Sequence, residues 1–240
     1  MSPRWMSSPL ALLAAGTLAA CHHGGAAAAV TPDTGVSADE RKDGFVSLFD
    51  GQKITDWRGF RMDTVPTGWQ VVDGNLARVG SGADLISRKQ YTNFELRLEW
   101  NISDGGNSGV MYRVTEAGQN TYETGPEMQV LDDAKHPDGK SRLTSAGACY
   151  GMYPSPAGIV LPPGQWNKVR IIVKGNHVEH WLNGTKVVEY ELKSPDWVTR
   201  LNASKFKQWP GYGLAPTGYI ALQDHGDRVM YRNIRIKVLP

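Results

Sequence analysis

The chain has 240 residues, of which 40% are hydrophobic and 21% are charged, and its formal net charge at pH 7 is +2. A charge so close to zero gives no electrostatic reason to expect a nucleic-acid partner or a polybasic, membrane-binding surface. The length is sufficient for one domain with a sizeable core, preceded by a short N-terminal region.

The N-terminus has the features of an export signal. Arg4 precedes an apolar run, residues 10–20, that is too short to span a bilayer as a mature helix. The run ends in Leu-Ala-Ala-Cys at Cys21, the pattern that is cleaved and lipidated in bacterial lipoproteins; an ordinary secretory signal is the alternative. We predict a signal peptide over residues 1–20 and a lipid on Cys21 that anchors a periplasm-facing envelope protein in a membrane. His22, in place of Asp, favours the outer membrane.

Two regions follow the predicted lipidation site. Residues 21–43 are small, polar and charged and lack apolar periodicity, which predicts a flexible tether. Residues 44–240 are predicted to form one domain. If Cys21 carries lipid, Cys149 is the only other cysteine, so no internal disulfide can form. We interpret Cys149 as a small buried residue.

In chain order, the domain consists of short alternating segments separated by Gly, Asn and Asp. Asp73-Gly74-Asn75 and Asn183-Gly184 are strong hairpin signals. The predicted strands are 45–49, 69–72, 76–79, 93–102, 110–114, 127–131, 166–173, 177–182, 186–192, 219–223 and 229–238. One helix is predicted over 194–206, since Ser194 can cap it and Pro195 suits its first position. The pattern predicts an all-β, jelly-roll-like sandwich of two antiparallel sheets with one short helix.

Strand parity places polar side chains on one sheet face. In the predicted strand 127–131, Met128 and Val130 would face the core, which turns Glu127 and Gln129 to the opposite side. Sandwich strands bury one face between the sheets, so this second face is open to solvent or to a ligand.

Two other segments are expected to contribute to the same face. Within residues 107–113, Asn107 and Arg113 share one side of the strand, and Gln223 ends a later strand that His225 follows. An acid, amides, a guanidinium group and an imidazole on one face suit a carbohydrate. Amide and guanidinium groups offer sugar hydroxyls donors and acceptors in fixed directions.

Each of these residues also has a structural interpretation. Glu127 could be a solvated carboxylate paired with Arg113, an interaction that contributes little to stability. His225 could be a turn residue bonded to the backbone, or it could act as acid, base or metal ligand. Tyr150 is one of several aromatic residues that could stack on a sugar ring or lie in the core.

Several familiar chemistries are excluded by the absence of their motifs. The sequence has no Gly-x-Ser-x-Gly elbow, no P-loop and no dinucleotide-binding fingerprint. His177 and His180 lie three positions apart on a predicted strand, so they face opposite sides and cannot share a metal ion. We interpret these two histidines as surface and edge residues.

Seven short motifs, in this order, resemble a known family. They are Phe49-Asp50-Gly51, Gly106-Asn107-Ser108-Gly109, Glu127-Met128-Gln129-Val130-Leu131-Asp132, Lys168 after Trp166-Asn167, Leu182-Asn183-Gly184, Ser204-Lys205-Phe206, and Leu222-Gln223-Asp224-His225-Gly226 with Tyr231-Arg232-Asn233-Ile234. Over residues 43–238 the chain resembles the 3-keto-disaccharide hydrolase family. The resemblance implies a concanavalin A-like lectin/glucanase sandwich, in agreement with the strand pattern.

The sandwich glucanases of that fold carry Glu-x-Asp-x-x-Glu on their catalytic strand, with two carboxylates that flank the glycosidic bond. In this sequence Gln129 replaces the central Asp, and Asp132 is a shortened second acid. Direct hydrolysis needs two correctly separated carboxyl groups. A plain endoglucanase is therefore disfavoured.

The chemistry that the family resemblance implies avoids this requirement. A sugar 3-dehydrogenase is expected to place a ketone at C3 beforehand, which acidifies the C2 proton. A base then removes that proton, the C1 aglycone leaves by β-elimination, and water adds back. We expect Glu127 or His225 to be the base and the other to be the acid, while Arg113, Gln129 and Asn107 hold the keto oxygen and hydroxyls.

A divalent metal ion could serve as the electrophile of this reaction. Spacing assigns it no ligands, and Asp132, Asp224 and His225 are weak candidates. No other cofactor is expected.

Two non-enzymatic functions stay open at this point. A carbohydrate-binding lipoprotein would use the same face for docking only, and Gln129 in place of a catalytic acid is the feature that supports it. A structural envelope protein would need no polar cluster and would present one large apolar patch instead.

Overall fold

The computed structural model describes residue 1 and residues 35–240, so the predicted signal peptide, Cys21 and the first part of the tether lie outside the described residues. Within them the chain forms thirteen strands, two α-helices and three short 3-10 segments. The strands are β1 (Val46–Ser47), β2 (Trp57–Gly59), β3 (Trp69–Val72), β4 (Asn75–Arg78), β5 (Leu85–Ser87), β6 (Phe94–Ile102), β7 (Asn107–Val114), β8 (Glu127–Leu131), β9 (Asn167–Lys174), β10 (His177–Leu182), β11 (Thr185–Glu191), β12 (Tyr219–Leu222) and β13 (Val229–Val238).

The strands form two antiparallel sheets. The larger sheet has the order β11-β10-β9-β6-β13-β4-β3, with β1 also paired to β13, and the smaller has the order β2-β5-β12-β7-β8. The main core contains buried hydrophobic residues from both sheets, because alternate residues of each strand face the space between them. This arrangement confirms the predicted sandwich of two antiparallel sheets.

One of the two α-helices was predicted from the sequence, and the other was not. Helix α2 (Pro195–Ala203) lies where it was predicted, and the Ser194 side chain accepts a hydrogen bond from the Trp197 N–H at 3.2 Å. Helix α1 (Ala38–Lys42) was not predicted. In the part of the chain that the structure describes, no helix combines the length and apolar character needed to cross a membrane.

Helix α1 corrects the C-terminal end of the predicted tether. Ser37 and Glu40 cap the helix reciprocally, and Val36 is buried. The Glu40 carboxylate also accepts hydrogen bonds from Arg97 at 2.8 Å and Arg235 at 2.9 Å, which hold the helix against the larger sheet. Hydrophobic periodicity did not predict this helix, because the capping and ionic contacts that stabilise it leave no apolar pattern in the sequence.

The two histidines of β10 face opposite sides of the sheet, as predicted, but one of them is not a surface residue. His180 is fully buried. Its Nδ1 atom donates a hydrogen bond to the Gly147 carbonyl at 3.1 Å, so Nε2 of the neutral ring accepts one from the Tyr112 hydroxyl at 2.8 Å. Burial lowers the pKa of His180 to about 4. His177 remains partly exposed.

The interpretation of Cys149 as a buried residue is confirmed, and burial raises its thiol pKa to about 12.

Candidate active site

A cavity of about 250 Å³ lies on the outer face of the smaller sheet, over strands β7, β8 and β12. Two residues that the sequence analysis did not place in a site, Tyr122 and Lys205, form part of its lining. Six residues predicted to form a site also line it: Asn107, Glu127, Gln129, Tyr150, Gln223 and His225. Strand pairing has brought these side chains together from distant parts of the chain.

The register of β7 and β8 explains which side chains enter the cavity. The two strands pair so that Gly109 lies opposite Gln129. Met128 and Val130 are fully buried in the main core, as predicted. Because successive side chains of a strand point to opposite faces, Glu127 and Gln129 are turned into the cavity.

Glu127 is the buried acid of the cavity, with 5% of its surface exposed. Its side chain lies over Gly109, where a Cβ atom would come within 2.7 Å of the carboxyl carbon. Among the described residues, no hydrogen-bond donor contacts the carboxylate. Burial raises the pKa of Glu127 from 4.5 to about 8; Lys205 opposes this rise, and the charges of Asp84 and Asp138 add to it.

The raised pKa of Glu127 predicts that folding stability depends on pH. The fold favours the protonated carboxyl group, so this contribution is complete below the unfolded-state pKa of 4.5 and is lost as the pH rises through about 8. Across that interval, the free energy of unfolding of the wild type should fall relative to that of Glu127→Gln by up to about 1.4 kcal/mol per pH unit. Denaturant titrations of both proteins across the interval measure the difference. Parallel curves would contradict the burial of this carboxyl group.

Four polar atoms of the lining are buried without a hydrogen-bond partner among the described residues. They are Oδ1 of Asn107, both amide atoms of Gln129, and Oε1 of Gln223. Buried amide groups are normally paired, because an unpaired one costs about 1–3 kcal/mol. Their convergence on one cavity indicates a ligand that offers several donors and acceptors, such as a sugar.

His225 lies at the rim of the cavity, in the loop that follows β12, and its side chain is exposed. Its ring centroid is 6.3 Å from that of His136, a residue that the sequence analysis did not single out. Nδ1 of His136 accepts a hydrogen bond from the Asp138 N–H at 3.1 Å, and its Nε2 atom lies 3.5 Å from Nδ2 of Asn107. Two imidazoles thus adjoin the acid and amides of the cavity.

The prediction that Arg113 shares the cavity face is wrong. Arg113 has a backbone φ of 55°, and the pairing of β7 with β12 shifts register between Met111 and Val114. This bulge reverses the alternation, so Met111 and Val114 lie on one face and Arg113 is turned away from it. Arg113 is 2% exposed, and its guanidinium group donates a hydrogen bond to the Gly175 carbonyl in the turn between β9 and β10.

Lys205 supplies the positive charge of the cavity instead. It begins the 3-10 segment Lys205–Gln208, which is held in place by the buried side chain of Phe206. Its Nζ atom lies 4.6 Å from the centroid of the Tyr150 ring, and no carboxylate of the described residues forms an ion pair with it. The only sequence signal for Lys205 was the Ser204-Lys205-Phe206 motif, because its charge alone resembles that of any surface lysine.

The two aspartates named as weak metal ligands do not fit that role. Asp132 accepts hydrogen bonds from two backbone N–H groups at 2.8 and 3.1 Å. Asp224 accepts one from Arg78 Nε and one from the Gly82 N–H, both at 2.7 Å. Neither residue lines the cavity. Among the described residues, one group of three potential ligands is close enough to hold an ion, and it lies on β10 and β11 of the larger sheet: His177, Glu179 and Glu189.

Comparisons with known proteins agree with the resemblance of the motifs. The family model described as "3-keto-alpha-glucoside-1,2-lyase-like domain" matches residues 44–237. A Bacteroides thetaiotaomicron protein named 3-keto-disaccharide hydrolase is 38% identical, in an alignment that covers 82% of this chain and 79% of that protein. Two crystal structures of proposed glycosyl hydrolases from Parabacteroides distasonis are 36% and 30% identical, with TM-scores of 0.81 and 0.62. They cover 85% and 76% of this chain, and this chain covers 98% and 99% of them. The chain therefore belongs to the family of 3-keto-α-glucoside-1,2-lyase-like domains.

Proposed function

We propose that this protein cleaves glycosides of 3-keto sugars, including 3-keto-disaccharides, by elimination across C1 and C2 followed by hydration. The observation that carries this proposal is a single buried acid, Glu127, in a cavity whose other polar groups are amides, a lysine, an imidazole and two tyrosine hydroxyls. Direct hydrolysis of a glycoside requires a second carboxyl group beside the bond. Among the described residues, Glu127 is the one carboxyl group that lines the cavity.

A ketone at C3 makes this chemistry possible because it acidifies the proton on C2. A base takes that proton, and the electron pair moves onto the C3 oxygen as an enolate. The enolate then expels the aglycone oxygen from C1, which takes up a proton, and a C1=C2 double bond remains. Water adds to this bond, with its oxygen on C1 and a proton on C2, so the sequence needs no oxidant or reductant.

The positions of the side chains suggest a role for each. Glu127 is the base, since a pKa of about 8 lies near the pH at which such a group transfers protons efficiently. His225 at the rim is the acid that protonates the departing oxygen. Lys205 stabilises the enolate oxygen, the role of a preorganised positive charge. The unpaired amides of Gln129 and Gln223 hold ring hydroxyls.

Isotope incorporation tests the proposal. The domain is incubated in D2O with 3-keto-trehalose, 3-keto-sucrose and the two unoxidised sugars. We expect cleavage of the oxidised sugars only, with deuterium on C2 of the released 3-keto-glucose, because elimination and hydration exchange that proton. Free 3-keto-glucose incubated with and without protein controls for exchange after cleavage. Equal cleavage of the unoxidised sugars, or product without deuterium, would contradict elimination.

A non-catalytic sugar-binding protein is the second candidate. The amide-rich lining favours it, because Asn107, Gln129 and Gln223 suit the binding of hydroxyls whether or not a reaction follows. This function predicts saturable binding of the sugars without turnover, and binding that survives Glu127→Gln. Calorimetric titration beside the isotope experiment separates the two candidates.

The proposed substrate also implies a place for the protein in the cell. A 3-keto-glycoside must come from an oxidation at C3, so we propose a functional link to a sugar 3-dehydrogenase. Lipidation of Cys21 would hold the domain at the periplasmic side of the envelope, with the outer membrane favoured by His22. Radiolabelled palmitate incorporation that is lost in Cys21→Ala tests this anchor.

A further inference from the structure

Asp84 contacts the loop that carries His225. It immediately precedes strand β5, and its Oδ1 atom accepts a hydrogen bond from the Asp224 N–H at 2.8 Å. Its other carboxylate oxygen accepts a hydrogen bond from the Thr121 hydroxyl. Asp84 therefore joins the His225 loop to the segment that carries Tyr122, so two parts of the cavity lining depend on one carboxylate.

The His225 loop is held on its other sides as well. The Gln223 carbonyl accepts a hydrogen bond from the Ser108 hydroxyl at 2.8 Å. The Asp224 carboxylate is paired with Arg78 at 2.7 Å and also accepts the Gly82 N–H. The exposed imidazole of His225 thus projects from a backbone that is fixed on both sides, which favours a defined position at the rim.

The negative charge of Asp84 is not required by these hydrogen bonds. An asparagine could accept the Asp224 N–H through its Oδ1 atom and donate to the Thr121 hydroxyl through Nδ2. The charge is also costly. Burial raises the pKa of Asp84, the neighbouring carboxylate of Asp224 adds to the rise, and within the described residues Asp84 has no Lys or Arg partner. A partly buried charge without a Lys or Arg partner among the described residues suggests a role beyond holding the backbone.

We propose that Asp84 is a positioning residue for the reaction: its carboxylate fixes the backbone that carries His225, and its charge acts on the acid–base pair of Glu127 and His225. This inference rests on the proposed function. The charge of Asp84 raises the pKa of Glu127, and a nearby positive charge on His225 lowers the pKa of Asp84. The carboxylate therefore favours a proton on Glu127.

Other charged groups face Glu127 and must be held constant in a test. Lys205, from the 3-10 segment after α2, lowers the pKa of Glu127, and Asp138, from the loop after β8, raises it. The imidazoles of His225 and His136 adjoin the same cavity. A variant that alters Asp84 alone leaves all four groups in place.

The decisive variant is Asp84→Asn, which can retain both hydrogen bonds and removes only the charge. We expect it to fold and to cleave a 3-keto-glycoside, with the acidic limb of its kcat/KM–pH profile moved to lower pH by roughly 0.5–1 pH unit. The direction follows because loss of a nearby negative charge lowers the pKa of Glu127. Asp84→Ala removes the hydrogen bonds as well, and we expect an additional rise in KM with faster hydrogen exchange at residues 223–227.

Asp73→Asn is the matched control, since Asp73 lies exposed in the turn between β3 and β4. An unchanged pH profile for Asp84→Asn beside an active wild type would overturn the Asp84 inference and leave the proposed function intact. A wild type that fails to cleave would overturn the proposed function itself.

If Asp84→Asn does not fold, Thr121→Val replaces it in the test. Loss of the hydroxyl donor raises the pKa of Asp84, so the acidic limb of the kcat/KM–pH profile should also move to lower pH, but by less than in Asp84→Asn. An unmoved limb in that variant overturns the inference equally.

Discussion

Replacement of Glu127 by glutamine is expected to lower kcat/KM for a 3-keto-glycoside by about 10²- to 10⁴-fold, the usual contribution of a general base. The amide has nearly the same shape but cannot take a proton from C2. The wild-type carboxyl group is buried without a hydrogen-bond donor among the described residues, so its loss should leave the fold intact. Steady-state kinetics on 3-keto-sucrose, with thermal unfolding of the same samples, measure both effects.

The control for this variant is Glu189→Gln, which makes the same change at an exposed position of β11, far from the cavity in the sheet order. Its kcat/KM should match that of the wild type. If Glu127→Gln cleaves within twofold of the wild-type rate, Glu127 is not the base. Loss of turnover with sugar binding retained supports the proposed mechanism.

Substitution of Gly109 by alanine is expected to lower kcat/KM by about 100-fold without removing any catalytic group. The added Cβ would lie 2.7 Å from the Glu127 carboxyl carbon, closer than such atoms approach, so the carboxyl group must move. A displacement of about 1 Å in a reacting group can cost on the order of 100-fold in rate. The same crowding should cost about 1–3 kcal/mol of stability, as overpacking generally does.

Gly211→Ala is the matched control for this substitution. Gly211 is exposed, and a Cβ there would find its nearest neighbour at 3.8 Å, an ordinary contact distance. We expect no change in its rate or its unfolding temperature. An unimpaired Gly109→Ala enzyme would mean that the position of Glu127 over Gly109 is not needed for turnover.

The proposed mechanism requires only one carboxyl group in the cavity. In direct hydrolysis the second carboxylate balances the positive charge that develops at C1. In elimination the developing charge is negative and lies on the C3 oxygen, so a cation and amide donors are the suitable groups. Gln129 and Lys205, which both line the cavity, are consistent with this difference in the sign of the charge.

Local sequence patterns predicted the two-sheet sandwich, helix α2 and most of the cavity lining. Strand alternation has a fixed period of two, so Met128 and Val130 in the core imply Glu127 and Gln129 on the other face. The same local rule correctly placed Gln223 on that face. These predictions succeeded because they depend on residues adjacent in the chain and on one repeating geometry.

The charged groups around Glu127 depend on long-range contacts that no local pattern predicts. The bulge at Arg113 depends on how β12 pairs with β7, and it turns the expected guanidinium group away from the cavity. Lys205 and Asp84 lie in segments outside the strands, and strand alternation does not predict the positions of such segments. Helix α1 forms through ion pairs with residues distant in the sequence. Periodicity reports which way a side chain points within a strand, whereas the approach of loops and the register between strands arise from long-range packing.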